Sequence, residues 1–247
     1  MSTPVVLIHG LIGSLQFPEL IRCFAPGEIL APDLLGYGAL RDVAPAEVSI
    51  SAQVEHLRMT LERHCGAEPV HLLGHSVGGV VAALFAHKYA ERVRSLVSVE
   101  GNFTLGDAFW SAAVARMAPA QVEELLEGFR RDPAGWLTGA GVAAEPALVQ
   151  IADSWLAQQP ASTLRAMAQS VVEQTGPAQY LDKLREVFAR HPVHLVAGAR
   201  SHAGWDVPDW ARRAAASQSQ IPNTGHLMML EDPGAFVQVV KQALQPG

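Results

Sequence analysis

Cysteine and basic residues are both scarce in this chain of 247 residues. The two cysteines, Cys23 and Cys65, are too few for a disulfide framework and form no Cys-x-x-Cys motif, so both are expected to be reduced thiols. Eighteen lysines and arginines against 24 acidic residues give a formal net charge of −6. Because a nucleic-acid surface needs clustered Lys and Arg to neutralise phosphates, no nucleic-acid partner is expected.

The sequence also lacks a long apolar run and an N-terminal export signal. A membrane-spanning helix needs about 20 apolar residues, and no stretch of the chain approaches that length. The first four residues lead directly into the apolar run Val5–Ile8, without the basic region and cleavage site of a secretory signal. We therefore expect a soluble, cytoplasmic protein with no membrane span.

Short apolar runs alternate with stretches of helical character in the first hundred residues and again after residue 190. Such continuous runs are typical of strands buried on both faces of a parallel sheet. The runs are Val5–Ile8, Ile29–Ala31, Val70–Leu73, Ser95–Val99, Val193–Ala197 and a stretch that ends at Ile221. The pattern predicts an α/β protein with helices on both faces of a mostly parallel sheet of about six strands.

The segment 103–190 has a different character, because it contains no strand-like run and is rich in Ala, Gln and Glu. Proline, which is poor inside helices but common at their first turn, divides it into pieces of helical length. These prolines are Pro119, Pro133, Pro146, Pro160 and Pro177. No Gly/Ser-rich linker flanks the segment, so we interpret it as a helical cap inserted into a core of residues 1–102 and 191–247.

The strongest motif is Gly-His-Ser-Val-Gly at residues 74–78, between a predicted strand and a stretch of helical character. In this context G-x-S-x-G places its serine, Ser76, on a sharp and strained strand-to-helix turn, where the hydroxyl can act as a nucleophile. Side chains at Gly74 and Gly78 would collide with the neighbouring strand and helix. A glycine-rich turn with an incidental serine is the alternative interpretation.

Two further motifs follow predicted strands. The glycine-rich loop at residues 9–13 can aim backbone N–H groups at a developing oxyanion, although His9 itself is interpreted as a structural histidine. His226 follows the last strand, from where its imidazole can reach Ser76. Residues 36–41 lack the third glycine of a dinucleotide loop, and the ten histidines show no metal-ligand spacing, so neither cofactor nor metal is expected.

Taken together, these motifs resemble the α/β-hydrolase family over nearly the whole chain outside the helical segment. The matching residues are His9-Gly10, Pro32-Asp33 with Gly36 and Gly38, Gly74, Ser76 and Gly78, and Gly225-His226 with Glu231 and Pro233. The resemblance implies that Ser76 is the nucleophile, His226 the general base, and the backbone N–H groups of Leu11 and Val77 the oxyanion hole. It implies a carboxylesterase-like serine hydrolase that cleaves a small-molecule ester or related acyl compound through an acyl-enzyme.

The chain departs from the family pattern at three places. The family usually begins with an antiparallel hairpin, but four residues precede the first strand here, so the strand Ile29–Ala31 is expected at a sheet edge. We expect a monomer, or a dimer joined elsewhere, because Pro32 and the short strand disfavour edge pairing. Leu40, two positions after Gly38, stands where the family often has a small polar residue. Ser201 occupies the position that usually supplies the triad acid.

Two carboxylates could replace that acid. Glu100 follows the strand Ser95–Val99, where some members of the family carry their acid, and its extra methylene can span a longer gap. Asp206 lies five residues after Ser201 and could reach back if the loop bulges. We favour Glu100 and keep Asp206 as the alternative, since either preserves the chain order serine, acid, histidine.

Other functions are compatible with the same scaffold. It could serve as a cofactor-free haloperoxidase, a carbon–carbon bond hydrolase or a lyase, or as a non-catalytic small-molecule binder, because fold does not determine function. Large side chains of the cap are expected to provide at least two residues of an apolar acyl pocket. The candidates are Phe103, Phe109, Trp110, Met117, Phe129, Trp136 and Trp155.

Overall fold

A computed structural model describes residues 3–245, which form a six-stranded parallel sheet with twelve α-helices around it. The strands are β1 (Val5–Ile8), β2 (Ile29–Leu30), β3 (Val70–His75), β4 (Val93–Val99), β5 (Val193–Gly198) and β6 (Ser217–Ile221). Their order in the sheet is β2-β1-β3-β4-β5-β6, and every neighbouring pair is parallel. The predicted α/β architecture is confirmed, and β2 lies at an edge as expected.

Helices cover both faces of this sheet. They are α1 (Pro18–Ile21), α2 (Ile50–Cys65), α3 (Val77–Lys88), α4 (Phe109–Arg116), α5 (Pro119–Arg131), α6 (Pro133–Gly139), α7 (Pro146–Leu156), α8 (Ala161–Thr175), α9 (Ala178–Arg190), α10 (Asp209–Ala214), α11 (Met228–Glu231) and α12 (Pro233–Ala243). Helices α2, α3, α9 and α10 pack on one face, and α1, α11 and α12 pack on the other. None of the helices within residues 3–245 is long and apolar enough to cross a membrane.

The strand side chains alternate between two hydrophobic clusters, one on each face of the sheet. Val6 and Leu72 belong to the first cluster, whereas Leu7 and Leu73 belong to the second, and all four are at most 1% exposed. Burial on both faces explains why the central strands are continuous apolar runs. The edge strand β6 instead has four polar residues before Ile221, and these alternate between half-buried and exposed positions.

Six helices, α4–α9, connect β4 to β5. Helices α5, α6 and α7 each begin at a proline, and α8 and α9 each begin one residue after a proline. Proline suits these positions because the first N–H groups of a helix have no intrahelical acceptor to lose. The described part of the segment 103–190 therefore consists of helices and the turns between them.

Candidate active site

Ser76 lies at the turn where β3 ends and α3 begins. Its backbone has φ 54° and ψ −123°, a conformation that non-glycine residues rarely adopt. Strain of this kind costs on the order of 1–3 kcal/mol and persists where the surroundings over-determine it. Here the Ser76 N–H donates to the Val99 carbonyl (3.0 Å), and the Ser76 carbonyl accepts from the Gly79 N–H (2.8 Å). The turn is thus fixed to the end of β4.

The two glycines of the motif permit this turn. A Cβ atom added to Gly74 would lie 2.4 Å from the Gly78 carbonyl oxygen in α3. A Cβ atom added to Gly78 would lie 2.3 Å from the Ile8 carbonyl oxygen at the end of β1. Both distances are far shorter than van der Waals contact, so strand and helix approach each other as closely as the motif predicted.

His226 lies on the loop between β6 and α11, and several groups fix this loop. The Gly225 N–H donates to Glu231 Oε1 (2.6 Å), and Arg200 donates to Glu231 Oε2 (2.5 Å). On the opposite side, His75 Nε2 lies 3.0 Å from the His226 carbonyl oxygen, and the two imidazole rings are 4.6 Å apart between centroids. Since His75 directly precedes Ser76, these contacts place His226 beside the serine turn.

Glu100 follows the last residue of β4 and points toward His226. Its Oε2 atom lies 2.6 Å from His226 Nδ1, and its Oε1 atom accepts hydrogen bonds from the Gly198 N–H (2.9 Å) and the Ser201 hydroxyl. The Glu100 side chain is only 5% exposed, whereas 43% of the His226 side chain is exposed. The structure therefore pairs the imidazole with a buried and fully hydrogen-bonded carboxylate.

The surroundings of Glu100 favour its ionised form. Burial by itself raises the pKa of this carboxyl, but the hydrogen bonds from His226, Ser201 and Gly198 together lower the pKa below its ordinary value. A carboxylate that stays ionised can fix the tautomer of a neighbouring imidazole and stabilise the imidazolium. With Nδ1 directed at Glu100, the Nε2 atom of His226 remains available for a second partner.

Asp206, the alternative acid, is bonded elsewhere. Its Oδ2 atom accepts a hydrogen bond from the Thr104 hydroxyl (2.5 Å), and its backbone N–H donates to Asp107 Oδ1 (2.7 Å). These bonds connect the loop after β5 to the start of the segment 103–190. Asp206 is thus engaged with the segment 103–190, and the carboxylate in contact with His226 is that of Glu100.

Two backbone N–H groups adjoin the serine turn. Val77 is the first residue of α3, where helix geometry provides no intrahelical acceptor for its N–H. Leu11 lies in the loop after β1, which closely approaches the turn: a Cβ atom added to Gly10 would lie 3.2 Å from Ser76 Cβ. Within residues 3–245, the N–H groups of Leu11 and Val77 make no hydrogen bond. The Ser76 hydroxyl makes none there either.

Two buried histidines complete the surroundings. Burial lowers the pKa of His9 to about 4 and lowers the pKa of His75 well below its ordinary value, so both are neutral at neutral pH. His9 was expected to be structural, and the contact of His75 with His226 was not predicted at all. The only signal for it in the sequence was its place next to Ser76 within the motif.

The helical segment contacts the loops that follow β1 and β2. A Cβ atom added to Gly13 would lie 2.8 Å from Trp155 Cε3, so the indole packs directly on the loop after β1. The Gly38 N–H donates to the Gln158 carbonyl (3.0 Å). Of the other aromatics, Phe103 packs in the core against Phe188 and Trp205, whereas Phe109 is 74% exposed.

No group of three or more His, Cys, Asp and Glu side chains within the described part of the chain is arranged to hold a metal ion. The titratable residues of the site instead form a pair, His226 with Glu100, next to a serine. Such an arrangement can activate a hydroxyl nucleophile by general base catalysis.

Comparison with known proteins agrees with this geometry. A family model described as the α/β hydrolase fold matches residues 3–233, so the chain belongs to the α/β-hydrolase family. Lipase 1 of Psychrobacter immobilis is 32% identical over 114 residues, which make up 46% of this chain and 34% of the lipase. The chain thus spans about a third of the length of the lipases that it matches.

Solved structures show the same fold over the whole length. An esterase from Thermogutta terrifontis has a TM-score of 0.72 at 21% identity, covering 99% of this chain and 90% of the esterase. MenH from S. aureus has a TM-score of 0.73 at 20% identity, covering 98% of this chain and 93% of MenH. At these identities the similarity establishes the fold alone.

Proposed function

We propose that the protein is a serine hydrolase that cleaves a carboxylic ester, or a related acyl compound, with Ser76, His226 and Glu100 as its catalytic triad. The observation that carries this proposal is the 2.6 Å contact between His226 Nδ1 and Glu100 Oε2 beside a serine on a strained strand-to-helix turn. The lipases and esterases among its relatives support an ester as the substrate.

In the first step, Ser76 Oγ attacks the acyl carbon while His226 Nε2 removes the hydroxyl proton. Glu100 stabilises the imidazolium that forms, because its ionised carboxylate accepts the Nδ1–H. Within residues 3–245 the Ser76 hydroxyl makes no hydrogen bond, and such catalytic hydrogen bonds commonly tighten only when substrate binds.

The attacked carbonyl oxygen becomes an oxyanion, which the backbone N–H groups of Leu11 and Val77 stabilise. Each preorganised donor of this kind lowers the barrier by about 3–4 kcal/mol. The imidazolium then protonates the departing alcohol, which leaves the acyl group bonded to Ser76 Oγ. A water molecule, deprotonated by His226, hydrolyses this acyl-enzyme and restores the free serine.

We further infer that residues 103–190 form a cap over this site and take part in binding the acyl group. The contact of Trp155 with the loop at Gly13 and the bond from Gly38 to Gln158 support this role. The first loop approaches Ser76 at Gly10, and the second is bonded to the first through Tyr37 and Leu11. An apolar cap would provide hydrophobic surface for the acyl chain.

The test combines activity with covalent labelling. The purified protein is assayed against p-nitrophenyl esters of increasing acyl length and is then incubated with a fluorophosphonate probe. We expect ester hydrolysis, and a single adduct on Ser76 located by mass spectrometry. Ser76→Ala should lose both, and Ser51→Ala, a change at an exposed serine of α2, is the control that should keep both.

The possible outcomes separate the proposal from its alternatives. Ester hydrolysis that survives in Ser76→Ala would exclude Ser76 as the nucleophile. A labelled Ser76 in a protein that hydrolyses no ester would favour the carbon–carbon hydrolase, lyase or haloperoxidase alternatives. A protein that neither hydrolyses esters nor takes up the probe would be a small-molecule binder.

A further inference from the structure

We propose that His9 and Tyr37 are positioning residues that aim the backbone N–H of Leu11 into the oxyanion hole. The inference rests on the proposed function, since it assigns these two side chains a role in the same reaction. Neither residue contacts the reacting atoms. Both act through the two peptide groups on either side of Leu11.

The first of these peptide groups is held by His9. Its Nδ1 atom lies 2.8 Å from the Gly10 carbonyl oxygen, and since a carbonyl oxygen only accepts, Nδ1 carries the proton. The peptide between Gly10 and Leu11 is planar and trans, so its N–H points away from its C=O. By fixing the direction of the Gly10 carbonyl, His9 also fixes the direction of the Leu11 N–H.

The second peptide group is held by Tyr37. Its hydroxyl donates a hydrogen bond to the Leu11 carbonyl oxygen at 3.0 Å, and its side chain is 1% exposed. Leu11 therefore has a fixed peptide plane on each side, and its own φ and ψ have little freedom left. The His9 and Tyr37 rings also contact each other edge to face, with centroids 4.7 Å apart.

The loop needs such support because glycine lies on both sides of Leu11. Gly10 has no Cβ, and Gly13 has φ +125°, so the local backbone is free to rotate a peptide plane. The Leu11 N–H has no acceptor of its own within residues 3–245 that would hold it. Without the two side chains, the donor would have to be oriented at the moment of reaction, which weakens catalysis by a preorganised dipole.

The two side chains are well suited to this task. Burial lowers the pKa of His9 to about 4, so the imidazole stays neutral and keeps one defined proton on Nδ1 at neutral pH. Tyr37 is turned inward by a loop in which the flanking Gly36 and Gly38 have φ +86° and +52°. The Gly-Tyr-Gly sequence, which fails as a dinucleotide loop, thus serves to deliver a hydroxyl to the oxyanion loop.

The decisive variant is Tyr37→Phe, which removes one hydroxyl from the loop support. We expect kcat to fall about 10–100-fold with KM changed less than about twofold. The affinity for a trifluoromethyl ketone, whose hemiketal oxyanion mimics the tetrahedral intermediate, should fall by the same factor as kcat. The control is Tyr89→Phe, because Tyr89 lies at the opposite end of α3 from Ser76 and its hydroxyl donates to Glu55 Oε1 (2.7 Å).

A second pair of variants tests the role of His9 and separates it from a loss of stability. His9→Asn keeps a side-chain N–H donor and should retain more of kcat than His9→Leu, while thermal unfolding monitors stability in each variant. Equal kcat in Tyr37→Phe and Tyr89→Phe, or a KM that rises in Tyr37→Phe by as large a factor as kcat falls, would overturn the inference. Wild-type protein without ester hydrolysis would instead refute the proposed function, so the two failures are distinguishable.

Discussion

The Ser201 hydroxyl donates a hydrogen bond to Glu100 Oε1, across the gap between the end of β4 and the loop after β5. In the family pattern, the position of Ser201 usually carries the triad acid. Here that position supplies a donor to a carboxylate that comes from the neighbouring strand. Glu100 adopts a positive φ of 41° at this point, which turns its side chain from the end of β4 toward His226.

Replacing this carboxylate tests its role directly. Glu100→Gln should lower kcat by about 10⁴-fold, as acid-to-amide changes in such triads do, because the amide stabilises neither the productive tautomer nor the imidazolium. KM should change little, since Glu100 is buried behind His226 and does not face the substrate. Steady-state kinetics on the best p-nitrophenyl ester provide the measurement.

Asp206→Asn is the control for that prediction. Its carboxylate bonds to Thr104, so the amide should keep kcat within about threefold of the wild type. The opposite ranking, with Asp206→Asn inactive and Glu100→Gln active, would transfer the role of the acid to Asp206.

The sequence was sufficient for the sheet and for the turn at Ser76, because both depend on local patterns. Continuous apolar runs are typical of strands buried on two faces. Glycine is needed at 74 and 78 because an added Cβ atom would lie 2.3–2.4 Å from a backbone carbonyl oxygen. The sequence did not decide whether Glu100 or Asp206 is the acid of the triad. That choice depends on a distance across the sheet that no local pattern encodes. The bond from Tyr37 to Leu11 joins residues 26 positions apart and was missed for the same reason.

The strained backbone of Ser76 should be measurable as a cost in stability. Glycine adopts φ 54° without a Cβ penalty, so Ser76→Gly should be about 1 kcal/mol more stable than Ser76→Ala, even after the larger entropy of glycine in the unfolded chain. Both variants should be inactive. Urea denaturation of the two proteins provides the comparison, and equal unfolding free energies would show that the turn is unstrained.

Buried histidine should make the protein less stable in mild acid. The pKa of His9 falls from 6.5 to about 4 on folding because burial disfavours the charged imidazole. Between these values the unfolded chain binds a proton that the folded protein does not. The unfolding free energy therefore decreases as the pH falls from about 6.5 to about 4, by about 3 kcal/mol from this group, and does not decrease further below that range.

Comparison of two variants isolates that contribution. His9→Asn removes the titrating group and should lose less stability than the wild type between about pH 7 and about pH 4.5 in urea titrations. His64→Asn, on a partly exposed face of α2, should keep the wild-type dependence. An identical pH dependence in wild type and His9→Asn would mean that folding does not change the pKa of His9.

The close approach of α3 to β1 predicts opposite effects for the same substitution at two glycines. At Gly78, an added methyl group would lie 2.3 Å from the Ile8 carbonyl oxygen, and backbone cannot move aside as a flexible side chain can. Gly78→Ala should therefore destabilise the protein by about 3 kcal/mol or more.

At Gly128, inside α5, an added methyl group meets no atom within 4 Å, so Gly128→Ala should stabilise the helix by about 1 kcal/mol. For a chain of this length, thermal unfolding should show a rise of about 2–4 °C for Gly128→Ala and a fall several times larger for Gly78→Ala. A Gly78→Ala protein as stable as the wild type would contradict the contact between the serine turn and β1 on which the proposed oxyanion hole depends.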